Sequence, residues 1–213
     1  MSTSDDRAAI GETSKLHVVS NGVDLKAFRF VPPGQRSAHV VFVGNLGYFP
    51  NVDAALWFAQ ETLPLLARPT HLELVGMRPA PVLQRLAATN DRVHLVGPVA
   101  EVQTHYSRAA VAIAPLRSGS GQQLKILEAM AMGTPVVATS MASAGIDALP
   151  GEHLLVADQP ADLARQIERL LRSPSLAASL AYAARALIER RYSWEASALA
   201  LERLWLQAAA SER

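Results

Sequence analysis

Short apolar runs alternate with segments of helical periodicity along most of this chain. The runs, rich in valine, leucine and isoleucine, span residues 16–19, 39–43, 71–75, 93–96, 111–114, 135–139 and 153–156. Helical spacing lies between them, over residues 52–66, 81–89, 102–107, 122–132 and 160–171. Buried strands that alternate with helices are typical of a parallel, doubly wound sheet. We therefore predict an α/β fold of Rossmann type.

The carboxyl-terminal part of the chain is predicted to be helical only. Residues 175–190 are rich in alanine and leucine, and Ser193 is a suitable N-cap for a last helix over residues 194–206. We divide the chain into a linker remnant (1–14), an α/β domain (15–174) and C-terminal helices (175–213). The C-terminal helices either pack on this domain or cross to a neighbouring one.

Composition and charge exclude several classes of partner and site. The 213-residue chain has 20 Lys and Arg residues against 19 Asp and Glu residues, a formal net charge of +1, and no long basic run that would favour nucleic acid. It has no cysteine, which excludes disulfides and thiolate metal sites. No apolar run approaches the roughly 20 residues that cross a bilayer. We expect a cytoplasmic protein with no membrane span and no nucleic acid partner.

Two loops follow predicted strands at the edge where parallel sheets bind ligands. The first contains Gly44 and Asn45; the glycine allows a ligand to approach the backbone, and a simple turn is the alternative explanation. The second loop, residues 115–123, contains Gly119 and Gly121 and leads directly into a helix. The start of a helix presents unpaired N–H groups, so this second loop is predicted to bind an anion.

The helix after the second loop carries one charged pair. The spacing of Leu124, Leu127 and Ala131 predicts that these residues face the sheet, while Lys125 and Glu128 share another face. A nucleoside diphosphate suits this arrangement, with phosphate near the helix start and Lys125 and with ribose hydroxyls donating to Glu128. The alternative is an exposed Lys–Glu pair that contributes little stability.

Other chemistries are disfavoured by the residue patterns. A dinucleotide fingerprint would need glycine where the chain has Leu124, and the phosphate-loop pattern G-x-x-x-x-G-K-[ST] does not occur. The histidines show no metal-binding spacing, and most lie within or at the start of predicted strands. We interpret them as structural and predict no metal site. They are His17, His39, His71, His94, His105 and His153.

The ordered motifs of the chain resemble one known family. They are Asn21-Gly22-Val23-Asp24 with Phe28, Phe42-Val43-Gly44, Leu74-Val75-Gly76, Val96-Gly97-Pro98-Val99, Tyr106, Pro115-Leu116, Leu127-Glu128-Ala129-Met130-Ala131-Met132-Gly133-Thr134-Pro135-Val136-Val137 and Tyr192-Ser193-Trp194. In order and spacing they are similar to the C-terminal domain of the family 4 retaining glycosyltransferases. The resemblance covers nearly the whole chain and is most specific over residues 125–137. Residues 50–53 and 57–58 resemble a bacterial subgroup associated with exopolysaccharide synthesis.

The resemblance implies a GT-B architecture, in which two Rossmann-like domains face each other across a cleft. It implies that a hexosyltransferase moves a sugar from a UDP-, GDP- or ADP-sugar with retention, without a metal or other cofactor. The acceptor, a glycan or a lipid-linked molecule, would bind to a domain upstream of Met1, so we expect the isolated domain to be inactive alone. Exposed apolar residues of the last helix, such as Trp194, Leu201 and Trp205, would contact that domain or form a homodimer.

Carried over by position, the resemblance assigns roles to individual residues but no catalytic residue. Glu128 would bind the ribose, and Pro98 and Val99 would line the base pocket. Lys125 and Arg117 would neutralise the leaving group, while the glycine after the second predicted strand and the amides at the helix start would approach the diphosphate. The predicted nucleotide-sugar site comprises Gly44, Asn45, Pro98, Val99, Arg117, Gly121, Gln122, Gln123, Leu124, Lys125 and Glu128.

The chain departs from the family pattern in both predicted ligand loops. Many members have a Glu-x7-Glu pair whose first carboxylate contacts the donor sugar, and Ser120 stands at that position. Many also have Arg and Lys in the loop after Gly44, where this chain has Asn45 and Pro50. Two alternatives therefore stay open: a non-catalytic module that binds a nucleotide or a partner, and one half of a nucleotide-sugar epimerase.

Overall fold

The structure, a computed structural model, describes residues 17–32, 34, 36–67, 69–119 and 121–211. Within these residues a six-stranded parallel sheet has the order β3-β2-β1-β4-β5-β6. The strands are β1 (Ser37–Val43), β2 (His71–Val75), β3 (Val93–Gly97), β4 (Ala109–Ala114), β5 (Val136–Ala138) and β6 (Leu155–Val156). The predicted doubly wound α/β fold is confirmed.

Helices connect the strands and cover the sheet. They are α1 (Phe49–Trp57), which continues as a π turn (Phe58–Thr62) and a 3-10 turn (Leu63–Leu65), α2 (Pro81–Thr89), α3 (Gln103–Arg108), α4 (Leu124–Ala131), α5 (Ser140–Ser143), α6 (Pro160–Arg172), α7 (Pro174–Arg191) and α8 (Trp194–Ser211). Proline occupies the first turn of α1, α2, α6 and α7. Backbone N–H groups in the first turn have no intrahelical acceptor, so proline, which lacks the N–H, loses no hydrogen bond there. Among the described helices, none has the length and apolar character needed to cross a membrane.

The central strands are buried on both faces. Residues 40–42 of β1 and Val111 of β4 are inaccessible to solvent, and so are Leu127 and Met130 of α4 and Ile167 of α6. These residues belong to one apolar core in which α4 and α6 contact β4. β-branched and aromatic side chains suit such strands, because both faces of the sheet are covered by helices.

The strand order reverses beside β1, which pairs with β2 on one side and with β4 on the other. The connections that leave β1 and β4 therefore diverge, and a crevice between such connections is where open parallel sheets bind ligands. The loops after β1 and β4, residues 44–48 and 115–123, leave the sheet at this point. We call it the β1–β4 edge, and both loops predicted to bind a ligand lie there.

The first predicted strand is wrong. The structure describes residues 17–19 of that run, and they have no regular secondary structure. Further along, Val23 donates a 2.7 Å backbone hydrogen bond to Tyr192 and forms an isolated parallel bridge with Ser193. The segment therefore pairs with the start of the last helix instead of extending the sheet. Residues 1–14, the predicted linker remnant, lie outside the described residues, and the domain division stays a prediction.

The two C-terminal helices differ in burial. Leu187 and its neighbours on α7 pack into the core, whereas α8 leaves much of its surface exposed. Ser193 is the N-cap of α8, as predicted, since its hydroxyl accepts a 3.1 Å hydrogen bond from the backbone N–H three residues on. Trp194, Leu201 and Trp205 are exposed, Trp205 by 75%. The predicted apolar surface on the last helix is therefore present.

Candidate functional site

The loop after β4 turns sharply before α4 begins. Gly119 and Gly121 have φ values of 115° and 80°, a region that glycine adopts without the strain of a side chain. Gln123 is the N-cap of α4, but its side chain does not cap the helix. Ile126 donates its backbone N–H to Gln123 O at 3.0 Å. The N–H groups of Leu124 and Lys125, at the very start of the helix, have no intrahelical acceptor, so they are suited to bind an anion at the β1–β4 edge.

Lys125, in the first turn of α4, is a half-buried cation with neutral contacts. Its Nζ donates to Asn51 Oδ1 at 3.1 Å and to Gln123 Oε1 at 3.2 Å, and lies 5.4 Å from the centre of the Phe42 ring. Burial lowers the pKa of Lys125 to about 8, against the smaller raising effect of Glu128. Among the described residues, the hydrogen-bond partners of this desolvated ammonium are neutral amide oxygens. The ammonium is therefore suited to bind an incoming anion.

Asn51 joins the two loops of the β1–β4 edge. Its Nδ2 donates a 3.0 Å hydrogen bond to the backbone oxygen of Asn45, while its Oδ1 accepts from Lys125. The side chain also fills the space beside Gly44, where an added Cβ would lie 2.9 Å from Nδ2. A Cβ at this position would displace the Asn51 side chain, so the packing favours glycine, and the contact of Gly44 with a ligand stays a prediction. The Asn45 side chain accepts a 3.0 Å hydrogen bond from the N–H of Gly47, which fixes the turn.

Glu128 lies three residues after Lys125 on α4 and is also half-buried. Its Oε2 accepts a 3.0 Å hydrogen bond from the Tyr106 hydroxyl. Burial raises the pKa of Glu128 more than Tyr106 and Lys125 lower it, and burial together with Glu128 raises the pKa of Tyr106 well above its ordinary value. Tyr106 thus stays a donor that orients the carboxylate. The interpretation of Lys125 and Glu128 as an exposed pair is wrong.

Arg117, predicted to neutralise the leaving group, is paired with Asp53 of α1. Its Nη2 and Nε donate to the two carboxylate oxygens at 2.6 and 3.1 Å, and its guanidinium lies 5.0 Å from the centre of the Trp57 ring. A bidentate partner of opposite charge already neutralises Arg117. A role toward phosphate requires Asp53 to release it, and that role stays a prediction.

The predicted core face of α4 is partly wrong. Leu127 and Ala131 are fully buried as predicted, but Leu124 is 45% exposed. Ile126 and Met130 complete the buried surface instead. Leu124 is the first residue of α4, so its backbone N–H has no intrahelical acceptor.

The other predicted site residues have different surroundings. Gln122 has a structural role, because its Oε1 accepts a 2.9 Å hydrogen bond from the N–H of Asn21 and its Nε2 donates to Gly145 O at 3.5 Å. Pro98 and Val99 follow β3, an outer strand of the sheet that is separated from β1 by β2. The base pocket assigned to them stays a prediction. Ser120 lies outside the described residues.

The sequence indicated no ligand role for three residues of the site: Asn51, Asp53 and Tyr106. Each contacts a predicted site residue that is distant in sequence, so no local spacing reveals the pair. The available signal for Asn51 was its place directly after Pro50 at the start of a helix, where a short polar side chain can bond to the preceding loop. Tyr106 formed part of the ordered motifs, but its hydroxyl gave no indication of its partner.

Comparisons with known proteins agree on one family. Residues 37–173 match the family described as glycosyl transferases group 1. The D-inositol 3-phosphate glycosyltransferase of Frankia alni is 31% identical over 211 residues, and the match covers 84% of this chain and 51% of that protein. The chain spans about half the length of the curated relatives it matches.

Solved structures share the fold of the chain. Sucrose-phosphate synthase (tll1590) from Thermosynechococcus elongatus matches with a TM-score of 0.76 and 25% identity, over 99% of this chain and 58% of that one. Anabaena Alr3699/HepE in complex with UDP-glucose matches with a TM-score of 0.72 and 18% identity, over 95% of this chain and 60% of that one. At 18% identity the second match concerns the fold alone. Together these matches confirm the Rossmann-like architecture that the sequence predicts.

Proposed function

The chain belongs to the group 1 glycosyltransferases, and on that premise we propose that it binds the nucleoside-diphosphate sugar donor of such an enzyme. One observation supports this proposal above all. A desolvated lysine and a half-buried glutamate lie one turn apart on α4, at the reversal point of the sheet and beside the first backbone N–H groups of that helix. This arrangement offers positive groups for a diphosphate and a carboxylate for ribose hydroxyls.

The diphosphate would bind at the start of α4. The N–H groups of Leu124 and Lys125 point along the helix axis, and the helix dipole favours negative charge there. The Lys125 ammonium would exchange its two amide partners for phosphate oxygens. Its half-buried positive charge would then be paired with a negative charge. As the bond from the β-phosphate to the sugar breaks, negative charge grows on the leaving group, and the same groups would stabilise it.

The ribose would bind one turn further along α4. The Tyr106 hydroxyl donates to one oxygen of Glu128, and the other oxygen would accept from ribose hydroxyls. Because Tyr106 fixes its orientation, the Glu128 carboxylate loses little conformational freedom when a ribose binds. It would therefore favour a ligand whose ribose lies about one helical turn from the phosphates. The distance between Lys125 and Glu128 would therefore select for the distance between the phosphates and the ribose of a nucleoside diphosphate.

The finer features of the reaction are also proposals. We propose transfer of a hexose with retention to a glycan or lipid-linked acceptor in polysaccharide synthesis, with the acceptor bound by a further domain. The family resemblance supports retention and the acceptor class. UDP is the first nucleotide to test, since structures that share the fold hold UDP or UDP-glucose.

Calorimetric titration with UDP, GDP and ADP tests the proposal. The wild-type chain is expected to bind one of the three nucleotides, and Lys125→Met to bind it at least roughly tenfold more weakly, because a charge-assisted hydrogen bond contributes about 1.5–3 kcal/mol. Glu128→Gln is expected to lower the affinity for the nucleotide. It should leave the affinity for inorganic diphosphate unchanged, because diphosphate has no ribose.

Matched controls separate the site from general charge effects. Lys26→Ala removes an exposed lysine, and Glu101→Gln neutralises an exposed glutamate. Both should bind the nucleotide like the wild type. The proposal fails if no nucleotide binds, or if Lys26→Ala weakens binding as much as Lys125→Met does.

A further inference from the structure

Histidines from neighbouring strands meet toward the amino ends of the sheet, on one of its faces. The strand register places His39 opposite His71 and Glu73 opposite His94. The His39 and His71 rings stack with centroids 5.2 Å apart, and the His71 and His94 centroids are 4.5 Å apart. The sequence spacing of these residues suggests no metal site, but parallel pairing brings ligand atoms of His39, His71 and Glu73 within 4.8 Å of one another.

Hydrogen bonding determines which nitrogen of His39 carries the proton. The Ser37 hydroxyl donates to the backbone oxygen of Arg108 at 2.9 Å, and a carbonyl can only accept. Ser37 Oγ also lies 2.6 Å from His39 Nδ1, so in that contact the hydroxyl oxygen must accept and Nδ1 must donate. The neutral His39 ring therefore has a free lone pair on Nε2.

This lone pair faces a negative group in a buried place. His39 is 3% exposed, and its Nε2 has no hydrogen-bond partner among the described residues. The nearest ionisable oxygen is Glu73 Oε2, at 3.6 Å. Two acceptors that face each other without a cation between them leave a buried polar atom unsatisfied, which costs free energy. A proton or a metal ion would satisfy both acceptors at once.

We propose that His39, His71 and Glu73 bind one divalent transition-metal ion, of which Zn²⁺ is the best fit. Two imidazoles and one carboxylate form a donor set that zinc uses, whereas Mg²⁺ and Ca²⁺ prefer oxygen ligands alone. This site lies in the amino half of the strands, separate from the β1–β4 edge, and it adds to the proposed donor function without resting on it.

The separations fit a metal of this size after a small adjustment. Zinc bound at about 2.0–2.2 Å to tetrahedral ligands holds them roughly 3.4 Å apart, close to the 3.6 Å between His39 Nε2 and Glu73 Oε2. His71 is half-buried, so rotation of its side chain can shorten the longer separations. The outer hydrogen bonds are already made: Ser37 holds His39, and His105 Nδ1 lies 3.0 Å from Glu73 Oε2. Such bonds orient metal ligands and fix the histidine tautomer.

The proposal is tested by titrating the chain with ZnCl₂ in competition with a chromophoric chelator. The chain is first freed of metal and carries no histidine tag. One Zn²⁺ should bind per chain. The substitutions His71→Ala and Glu73→Gln should each lower the affinity for Zn²⁺ at least tenfold. Both residues lie on β2, but Glu73→Gln keeps the size and shape of the side chain, so a folding failure of His71→Ala would leave Glu73→Gln informative. CoCl₂ should give the visible absorption of tetrahedral Co²⁺ with the wild type and not with either variant.

Two control variants locate the ion. His17→Ala removes an exposed histidine outside the cluster, and Lys125→Met changes the donor site; both should bind Zn²⁺ like the wild type. Zn²⁺ should also raise the Tm of the wild type and of both controls, but not that of Glu73→Gln, because only a bound ion stabilises the fold. The proposal is overturned if the wild type binds no Zn²⁺, or if Glu73→Gln and the wild type bind it equally.

Discussion

The titration of Lys125 makes nucleotide affinity depend on pH in a predictable direction. Its pKa is lowered to about 8 by burial, and a bound diphosphate would raise it again by supplying negative charge. Binding is therefore coupled to proton uptake. Affinity should be constant well below pH 8, where Lys125 is already charged, and should fall above pH 8, where the free protein has lost the proton that the complex requires.

The size of the effect follows from the same pKa. At pH 9, one unit above the pKa, only about a tenth of the free protein is charged at Lys125, so affinity should be roughly tenfold lower than at pH 7. The assay is calorimetric titration with UDP at pH 7, 8 and 9, in buffers of different ionisation heat that report proton uptake. Affinities are expressed relative to Lys125→Met, which cancels any titration of the nucleotide itself.

Lys125→Arg is the second reference, because arginine keeps its charge throughout this range. Its affinity relative to Lys125→Met should be independent of pH. A wild-type ratio that stays constant from pH 7 to 9 would contradict the coupling of binding to Lys125 protonation, and so would a wild type that takes up no proton on binding at pH 9.

Further substitutions test the packing and the hydrogen bonds of α4. Leu127→Ala should lower the free energy of unfolding by about 2–5 kcal/mol, since Leu127 is fully buried, whereas Leu124→Ala should change it by less than about 0.5 kcal/mol. Equal losses in urea denaturation would contradict the observed face of the helix. Tyr106→Phe removes the hydrogen bond to the Glu128 carboxylate and should raise the pKa of Glu128 further, which NMR titration would detect; an unchanged pKa would show that the bond is unimportant. Gly121→Ala places a Cβ in open space but at φ 80°, so backbone strain alone should cost about 1–2 kcal/mol of stability, and no loss in urea denaturation would contradict the left-handed turn.

Local patterns predicted most of the fold because the parallel sheet is covered on both faces. Strands such as β1 and β4 are continuous apolar runs, and the helices between them keep a regular period, so element type is visible without knowledge of tertiary contacts. The segment around residues 17–19 shows the limit of this signal. A short apolar run can also be buried beside a helix, and here the neighbouring Val23 pairs with Ser193.

Helix periodicity predicted the face of α4 but not the residue at which the helix begins. Leu127 and Ala131 follow the apolar spacing into the core, while Leu124 has the same spacing and lies in the first, exposed turn. Near a helix end, the position of the first turn relative to the sheet decides burial, and sequence spacing does not encode it.

The contacts of the site were beyond local reasoning. The lysine predicted to bind phosphate is held by Asn51, 74 residues earlier in the chain, and the arginine predicted beside it is neutralised by Asp53, 64 residues earlier. Residue types and the loops that carry them could be predicted from the strand ends. Pairings of this kind, like that of His39 with His71, depend on strand order and register and required the structure.

A crystal structure of the chain with UDP would show whether the nucleotide binds at the start of α4. We expect the diphosphate to lie at the β1–β4 edge, within hydrogen-bond distance of the N–H groups of Leu124 and Lys125 and of the Lys125 Nζ, with the ribose hydroxyls against Glu128. Nucleotide bound at another edge of the sheet, or at this edge with its phosphates away from the start of α4, would contradict it.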